Sequence, residues 1–163
     1  MTHPLAWLAS LILIAGVADD IRSRKVHNAL AVTCLVVALI ASTVLNGWMG
    51  LGTAIVGALV AFALYLPLVM LNIVGAGDLK LFIAFGAAVN WNASLMVALY
   101  SIVWGAVFGL VQIVIKGEMM GFLMNMKTLA LRRKSEGVSL HRIPFTVAIL
   151  LAWLSFLQMG GAV

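Results

Sequence analysis

Two aspartates lie at the ends of apolar segments, where acidic side chains are rare. Asp20 ends the first apolar run and Asp78 begins a later one, in a sequence with only five acidic residues among 163. A charged side chain at membrane depth is costly, so its presence is by itself a functional hypothesis. Two carboxyl groups held close together cannot both ionise easily, so one keeps a proton while the other activates water. Asp20 and Asp78 are therefore the first candidates for catalytic residues.

The composition is typical of an integral membrane protein. Hydrophobic residues make up 64% of the chain and charged residues 9%, whereas soluble domains average about 45–50% apolar and about 25% charged residues. The length predicts a single membrane-embedded domain over residues 1–163. No basic stripe with interleaved aromatic residues is evident, so nucleic acid is not expected as a partner. The single cysteine, Cys34, cannot form an internal disulfide and is predicted to be a small buried hydrophobe.

Six apolar segments predict an all-α, polytopic membrane protein with six transmembrane helices, because about 20 mostly apolar residues span a bilayer. The fourth segment is short, and residues 90–92 separate it from the fifth. The predicted helices cover residues 4–18, 29–45, 51–71, 79–89, 93–115 and 143–159.

The connectors between these segments predict the orientation in the membrane. Charged residues follow the first, third and fifth predicted helices, whereas the connectors after the second and fourth are uncharged. By the positive-inside rule, both aspartates face the cytoplasm and both termini face outward. Trp48 and Trp91 fall on the outer connectors, where interfacial tryptophans belong. The Met-rich residues 118–131 either lie flat on the lipid headgroups of the inner leaflet or form a plain connector.

Two glycines surround Ala76 directly before Asp78. Gly75 and Gly77 allow irregular backbone and close approach of another chain, which at membrane depth survives only inside protein or beside water. We predict a flexible turn that delivers Asp78 to a wet cavity; the alternative is a helix start with Asp78 as its N-cap. Lys80 is predicted to orient Asp78 or to bind substrate or headgroups, and the simpler alternative is interfacial snorkelling.

Other positions carry local predictions. Asn28 is expected to cap the second helix, and Pro67 is expected to kink the third. Gly105 and Gly109 form a Gly-x-x-x-Gly pattern that predicts close helix packing. Asp19, next to Asp20, is a competing candidate for the acid of the first helix.

Three short blocks resemble the type IV prepilin peptidases. Residues 20–28 are similar to the family's first block, which has an aspartate, basic residues and an aliphatic-Pro-Asn ending. Residues 75–80 are similar to its Gly-x-Gly-Asp-x-Lys block, and residues 142–145 are similar to the Pro-containing block that opens the last helix. The blocks occur in the family's order along the whole chain. This pattern favours Asp20 over Asp19.

The resemblance implies a membrane aspartic peptidase that removes the leader of prepilin or pseudopilin precursors at the cytoplasmic face of the bacterial inner membrane. It implies that Asp20 and Asp78 are the catalytic pair and that water is the nucleophile, so no cofactor is expected. His3 and His141 lack partners at metal-ligand spacing, and no metal is predicted. The residues expected to bind substrate or shape the site are Gly75, Gly77, Lys80, Asn28 and Pro144.

The sequence departs from the family pattern at one position of the first block, where His27 stands in place of the usual proline. It looks like the short, peptidase-only branch associated with Flp/Tad-type pili, for which methyltransferase activity is not expected. Two other functions stay open. A small proton-coupled transporter would also carry acids in its membrane segments, and a non-enzymatic secretion or pilus assembly subunit could use them to grip a partner. No oligomeric state is predicted.

Overall fold

The computed structural model describes residues 4–23, 26–115 and 145–161. Within these ranges the protein is all-helical, with no strands, which confirms the predicted class. Residues 118–131, with their predicted surface segment, lie outside the described ranges. The helices are α1 (Pro4–Ser23), α2 (Asn28–Met70), α3 (Ala76–Ala88), α4 (Trp91–Ile115) and α5 (Phe145–Gln158).

Three helices are long and apolar enough to cross a membrane, namely α1, α2 and, within α4, Trp91–Val111. The other two are shorter, with 13 residues in α3 and 14 in α5, against the roughly 17–25 residues of a typical span. The prediction of six transmembrane helices therefore remains a prediction. The short α3 is enclosed by the other helices, since Leu81, Phe82 and Phe85 on it are fully buried.

Helix α2 turns back on itself at Gly47. The backbone there has φ 61° and ψ −151°, a conformation that residues with a side chain rarely adopt. Ser42 and Gly50 would lie about 12 Å apart along a straight helix, yet the Ser42 carbonyl occupies the space where a Cβ of Gly50 would sit. Helix α2 therefore has a first arm (residues 28–46) and a second arm (residues 48–70). Within the predicted connector over residues 46–50, one residue, Gly47, is non-helical.

Both arms of α2 pack against the end of α3. Gly57 of the second arm and Gly86 of α3 meet backbone to backbone, with no room for a Cβ on either. Ser42 of the first arm donates to the Ala87 carbonyl oxygen at 3.2 Å. Small residues at a helix crossing allow this close approach, which supplies the packing that drives helix association in a bilayer.

An aromatic column runs through the bundle and joins α2, α3 and α5. Tyr65 stacks on Phe82 with ring centroids 4.0 Å apart, and Phe85 meets Trp153 edge to face at 5.2 Å. The Trp153 indole nitrogen donates to Ser10 Oγ at 2.8 Å, so the column also fixes α5 against α1. This column holds the short α3 in place from several sides.

Several local predictions are corrected by the structure. The kink expected at Pro67 stays a prediction, and the one break of helical φ/ψ inside α2 is at Gly47, where glycine tolerates it. In the Gly-x-x-x-Gly pattern of α4, Gly105 packs on the Phe145 ring, but a Cβ on Gly109 would meet no described atom within 4 Å. Cys34 is only partly buried, and it packs against the core.

Candidate active site

Asp20 lies inside a helix and faces α5. Helix α1 runs past its predicted end at residue 18 to Ser23, whose hydroxyl bonds the Asp19 carbonyl oxygen at 2.7 Å and so extends the last turn. Asp20 is half-buried, and its Oδ2 accepts a hydrogen bond from Thr146 Oγ1 at 2.8 Å. Thr146 lies in the first turn of α5 and is completely buried. The first turn of α5 therefore holds the Asp20 carboxylate at the helix bundle.

The neighbouring acid, Asp19, has a different partner. Its Oδ2 accepts from the His27 backbone N–H at 2.8 Å, and its Oδ1 lies 2.9 Å from His27 Nδ1. This double contact closes the short link between α1 and α2. Asp19 thus stabilises a local connection, whereas Asp20 reaches another helix.

Asp78 lies in the first turn of α3, which begins at Ala76 rather than at the predicted residue 79. Gly75 is the N-cap, and its backbone N–H donates to Asp78 Oδ2 at 3.2 Å. The prediction of a flexible turn is wrong, because this contact satisfies one of the free N–H groups at a helix start. Asp78 is also not the N-cap itself. Its side chain is only 9% exposed.

Gly77 brings the link between α1 and α2 onto α3. A Cβ on Gly77 would lie 3.2 Å from Val26 Cβ and 3.4 Å from the Val26 nitrogen, which is tighter than ordinary van der Waals contact. Gly75 differs, because its φ of −74° suits any residue and its nearest neighbour is the Asp78 carboxylate. The absence of a Cβ at Gly77 thus allows the close approach of Val26.

Lys80 and Asn28 form a second link between the same two segments. Lys80 Nζ donates to Asn28 Oδ1 at 2.7 Å. The prediction that Asn28 caps the second helix is wrong, because His27 occupies the N-cap position and Asn28 is already the first helical residue. Its amide oxygen is used by Lys80 instead. The first and second sequence blocks are therefore in contact at two points.

Both aspartates lie toward the same end of the contact between α1 and α3. The Leu81 side chain of α3 fills the space beside Gly16 of α1. Asp20 follows Gly16 by about one helical turn, and Asp78 precedes Leu81 by nearly one turn. The contacts of residues 26 and 28 with α3 show that α1 ends where α3 begins.

Helix α5, which begins at the last residue of the third sequence block, also reaches this end. Pro144 lies outside the described residues. Phe145, the next residue, packs on Gly105 and lies edge-on to Tyr65 at 6.2 Å, and Thr146 then bonds Asp20. In the part of the chain that the structure describes, no three His, Cys, Asp or Glu side chains come together as metal ligands.

The arrangement has the parts needed for acid–base chemistry on a water molecule. It holds two carboxyl groups near helix starts, one with a hydroxyl donor and one with a backbone N–H donor. Residues 7–110, which include both aspartates, match the sequence model of the type IV leader peptidase family. The chain belongs to this family.

A relative of known name supports the same membership. A prepilin leader peptidase/N-methyltransferase of Legionella pneumophila is 35% identical over 120 residues. The aligned region covers 69% of this chain and 42% of that protein, so this family member spans less than half the length of its relative. No solved structure matches the chain. The suspected family resemblance is thereby confirmed.

Sequence reasoning missed two features of this family member's site. Thr146 directly follows the block at residues 142–145, so extending that block by one residue would have included it. The Asp19–His27 pair had one available signal, the unusual histidine at position 27 beside a second aspartate.

Proposed function

We propose that this chain is an aspartic endopeptidase that removes the leader of prepilin-type precursors at the cytoplasmic face of the bacterial inner membrane. Membership of the leader peptidase family supports a prepilin peptidase role. The observation that carries the proposal is that the first two sequence blocks meet through the pairs Val26–Gly77 and Asn28–Lys80, and that Thr146, directly after the third block, bonds Asp20 of the first.

In the proposed reaction, Asp20 and Asp78 share the work on one water molecule. The ionised carboxylate takes a proton from water, and the oxygen attacks the carbonyl carbon of the scissile peptide. The protonated carboxyl group donates to the carbonyl oxygen as negative charge develops there. Collapse of the tetrahedral intermediate breaks the C–N bond, and the amine leaves with a proton from the first carboxyl group. No cofactor takes part in this scheme.

The proposed membrane arrangement has six helices, counting the two arms of α2 separately. Each arm has about the length of one span, and α3 and α5 would cross as short helices enclosed by their neighbours. Arg22 at the end of α1 and Lys80 in α3 favour a cytoplasmic position for the end that carries both acids. The apolar helix of a precursor would then lie in the bilayer beside the bundle, with its basic leader in the cytoplasm and its cleavage site near the acids.

The test is cleavage of a defined precursor by the purified, full-length protein in detergent. The substrate is a pilin-type precursor with a basic leader and an apolar helix, and mass spectrometry identifies the cut. We expect Asp20→Asn and Asp78→Asn each to abolish cleavage, because an amide cannot exchange the proton that the reaction moves. Asp19→Asn is the matched control and retains most of the activity, because the Asp19 carboxylate bonds His27 in the link to α2 rather than α3 or α5.

Two results would overturn the proposal. Full cleavage by either Asn variant at position 20 or 78 would remove that residue from the reaction. A wild-type protein that binds the precursor without cutting any member of a panel would favour an assembly subunit instead.

A further inference from the structure

We propose that Thr146 is a positioning residue for Asp20, a role that rests on the proposed function. The hydroxyl of Thr146 lies 2.8 Å from Asp20 Oδ2 and joins α5 to α1. An ionised carboxylate only accepts hydrogen bonds, so the hydroxyl is the donor when Asp20 is charged. Such charge-assisted bonds are stronger than neutral ones and fix the orientation of the carboxylate plane.

The donor is itself held firmly. Thr146 has no solvent exposure, and β-branched side chains have few rotamers in a helix. Phe145, directly before it, is wedged between Gly105 and the Tyr65 ring. Two turns later along α5, Trp153 bonds Ser10 of α1 at 2.8 Å. The register of α5 against α1 is therefore fixed at two points, and the hydroxyl reaches Asp20 from a rigid base.

The two acids differ in what holds them. Asp78 accepts a backbone N–H of its own helix start at 3.2 Å, a bond that follows from helix geometry. Asp20 lies in the last turn of α1, where the helix offers carbonyl groups rather than free donors. Its donor must come from another element, and Thr146 supplies it. With Oδ2 held by the hydroxyl, Oδ1 is the oxygen left for the reaction.

The experiment compares three variants in the precursor cleavage assay, with kcat, KM and the thermal unfolding midpoint measured for each. Thr146→Val keeps the shape and removes the hydroxyl, Thr146→Ser keeps the hydroxyl, and Thr43→Val is the matched control. Thr43 is a half-buried threonine whose hydroxyl, among the described residues, bonds the Leu39 carbonyl of its own helix. We expect Thr146→Val to lower kcat about tenfold or more with KM within about twofold, since misorientation acts on the chemical step. Thr146→Ser should restore kcat to within about threefold, and Thr43→Val should leave it unchanged.

The outcomes separate this role from the proposed function. Wild-type kcat in Thr146→Val, an equal loss in Thr146→Ser, or a change confined to KM would overturn the positioning role while cleavage itself stands. If Thr146→Val unfolds at a lower temperature, Thr146→Ala is added, and a kcat that follows the unfolding midpoint rather than the hydroxyl overturns the role as well. Absence of cleavage by the wild type overturns the proposed function and this role with it.

Discussion

Lys80 Nζ donates to Asn28 Oδ1 at 2.7 Å, and this bond ties the start of α2 to the first turns of α3, beside Asp78. Both side chains are exposed, so the bond contributes little to the free energy of unfolding; net values are about 0.5–1.5 kcal/mol. Its effect is geometric, because it fixes the link after Asp20 relative to the helix that carries Asp78. The bond therefore matters more for the alignment of the site than for stability.

Replacing either partner of this bond should slow cleavage with little loss of stability. We expect Lys80→Met and Asn28→Ala each to lower kcat/KM severalfold while unfolding changes by less than about 1 kcal/mol. The double variant should be no worse than the singles, since both remove the same contact. Thr33→Val, an exposed change on the same arm of α2, is the control, because within the described part of the chain the Thr33 hydroxyl bonds the Ala29 carbonyl of its own helix. Losses that simply add in the double variant would show that the two residues act separately.

A side chain at position 77 should move the link between α1 and α2 away from α3. Gly77→Ala places a Cβ 3.2 Å from Val26 Cβ, so Val26 must shift by a few tenths of an ångström, and Gly77→Leu requires a larger displacement. We expect a graded loss of cleavage from alanine to leucine, with an overpacking cost of about 1–3 kcal/mol in unfolding for the larger residue. Gly52→Ala, where a Cβ would meet no described neighbour from another turn or helix within 4 Å, is the control. Normal cleavage by Gly77→Leu would contradict the close packing of this link.

The crossing of α2 and α3 should be the packing contact at which an added methyl group destabilises the protein most. A Cβ at Gly86 would lie 2.6 Å from the Gly57 carbonyl oxygen and 2.7 Å from Ala61 Cβ, and backbone atoms there cannot move aside locally. We expect Gly86→Ala to destabilise the protein by about 1–3 kcal/mol, measured as a lower midpoint of thermal unfolding in detergent. Gly109→Ala adds the same methyl group where no described neighbour from another turn or helix lies within 4 Å, and it should not lower the midpoint. Equal unfolding midpoints for Gly86→Ala and Gly109→Ala would contradict the close backbone contact at this crossing.

His27→Pro should be tolerated although it removes two contacts. The backbone at His27 has φ −69° and ψ 137°, which is the conformation that proline prefers. The substitution deletes the N–H and the ring that bond Asp19, but it also restricts the unfolded chain, which contributes about 0.4–1 kcal/mol. We expect a net change in unfolding free energy within about 1 kcal/mol and retained cleavage. In His27→Pro, a further Asp19→Ala change should cost less than it does in the wild type; an equal cost would contradict the pairing.

The apolar pattern predicted the order of the helices but not where they end. Hydropathy reports contact with lipid, whereas helix ends depend on backbone hydrogen bonds. The polar residues after position 18 therefore predict a connector, yet α1 continues to Ser23. Likewise, the glycines at 75 and 77 are compatible with a turn or with a helix start. The hydrogen bond from the Gly75 N–H to Asp78 favours a helix start, and residue spacing alone does not reveal this bond.

The two acids of the candidate site are predictable from the sequence, but the residues that bond them are not. Asp20 and Asp78 stand out because acids are rare in this chain, and the blocks that contain them do meet in space. Thr146 and Asp20, by contrast, are 126 positions apart, and no local pattern connects them. The uncharged residues around Gly47 predict a connector. How tightly the chain reverses there depends on the contact between Ser42 and Gly50, which the sequence does not show.

The helices that carry the two acids are each joined to a different neighbour. Helices α1 and α5 are joined by Asp20–Thr146 and Ser10–Trp153, whereas α2 and α3 interlock backbone to backbone at Gly57 and Gly86. One carboxylate belongs to each pair, and between α1 and α3 the Leu81 side chain rests on Gly16, a surface without projections. The two pairs are not independent, because Phe85 of α3 meets the Trp153 ring of α5 and Tyr65 of α2 meets Phe145 of α5. Any change in the spacing of the two acids would therefore also have to repack these rings.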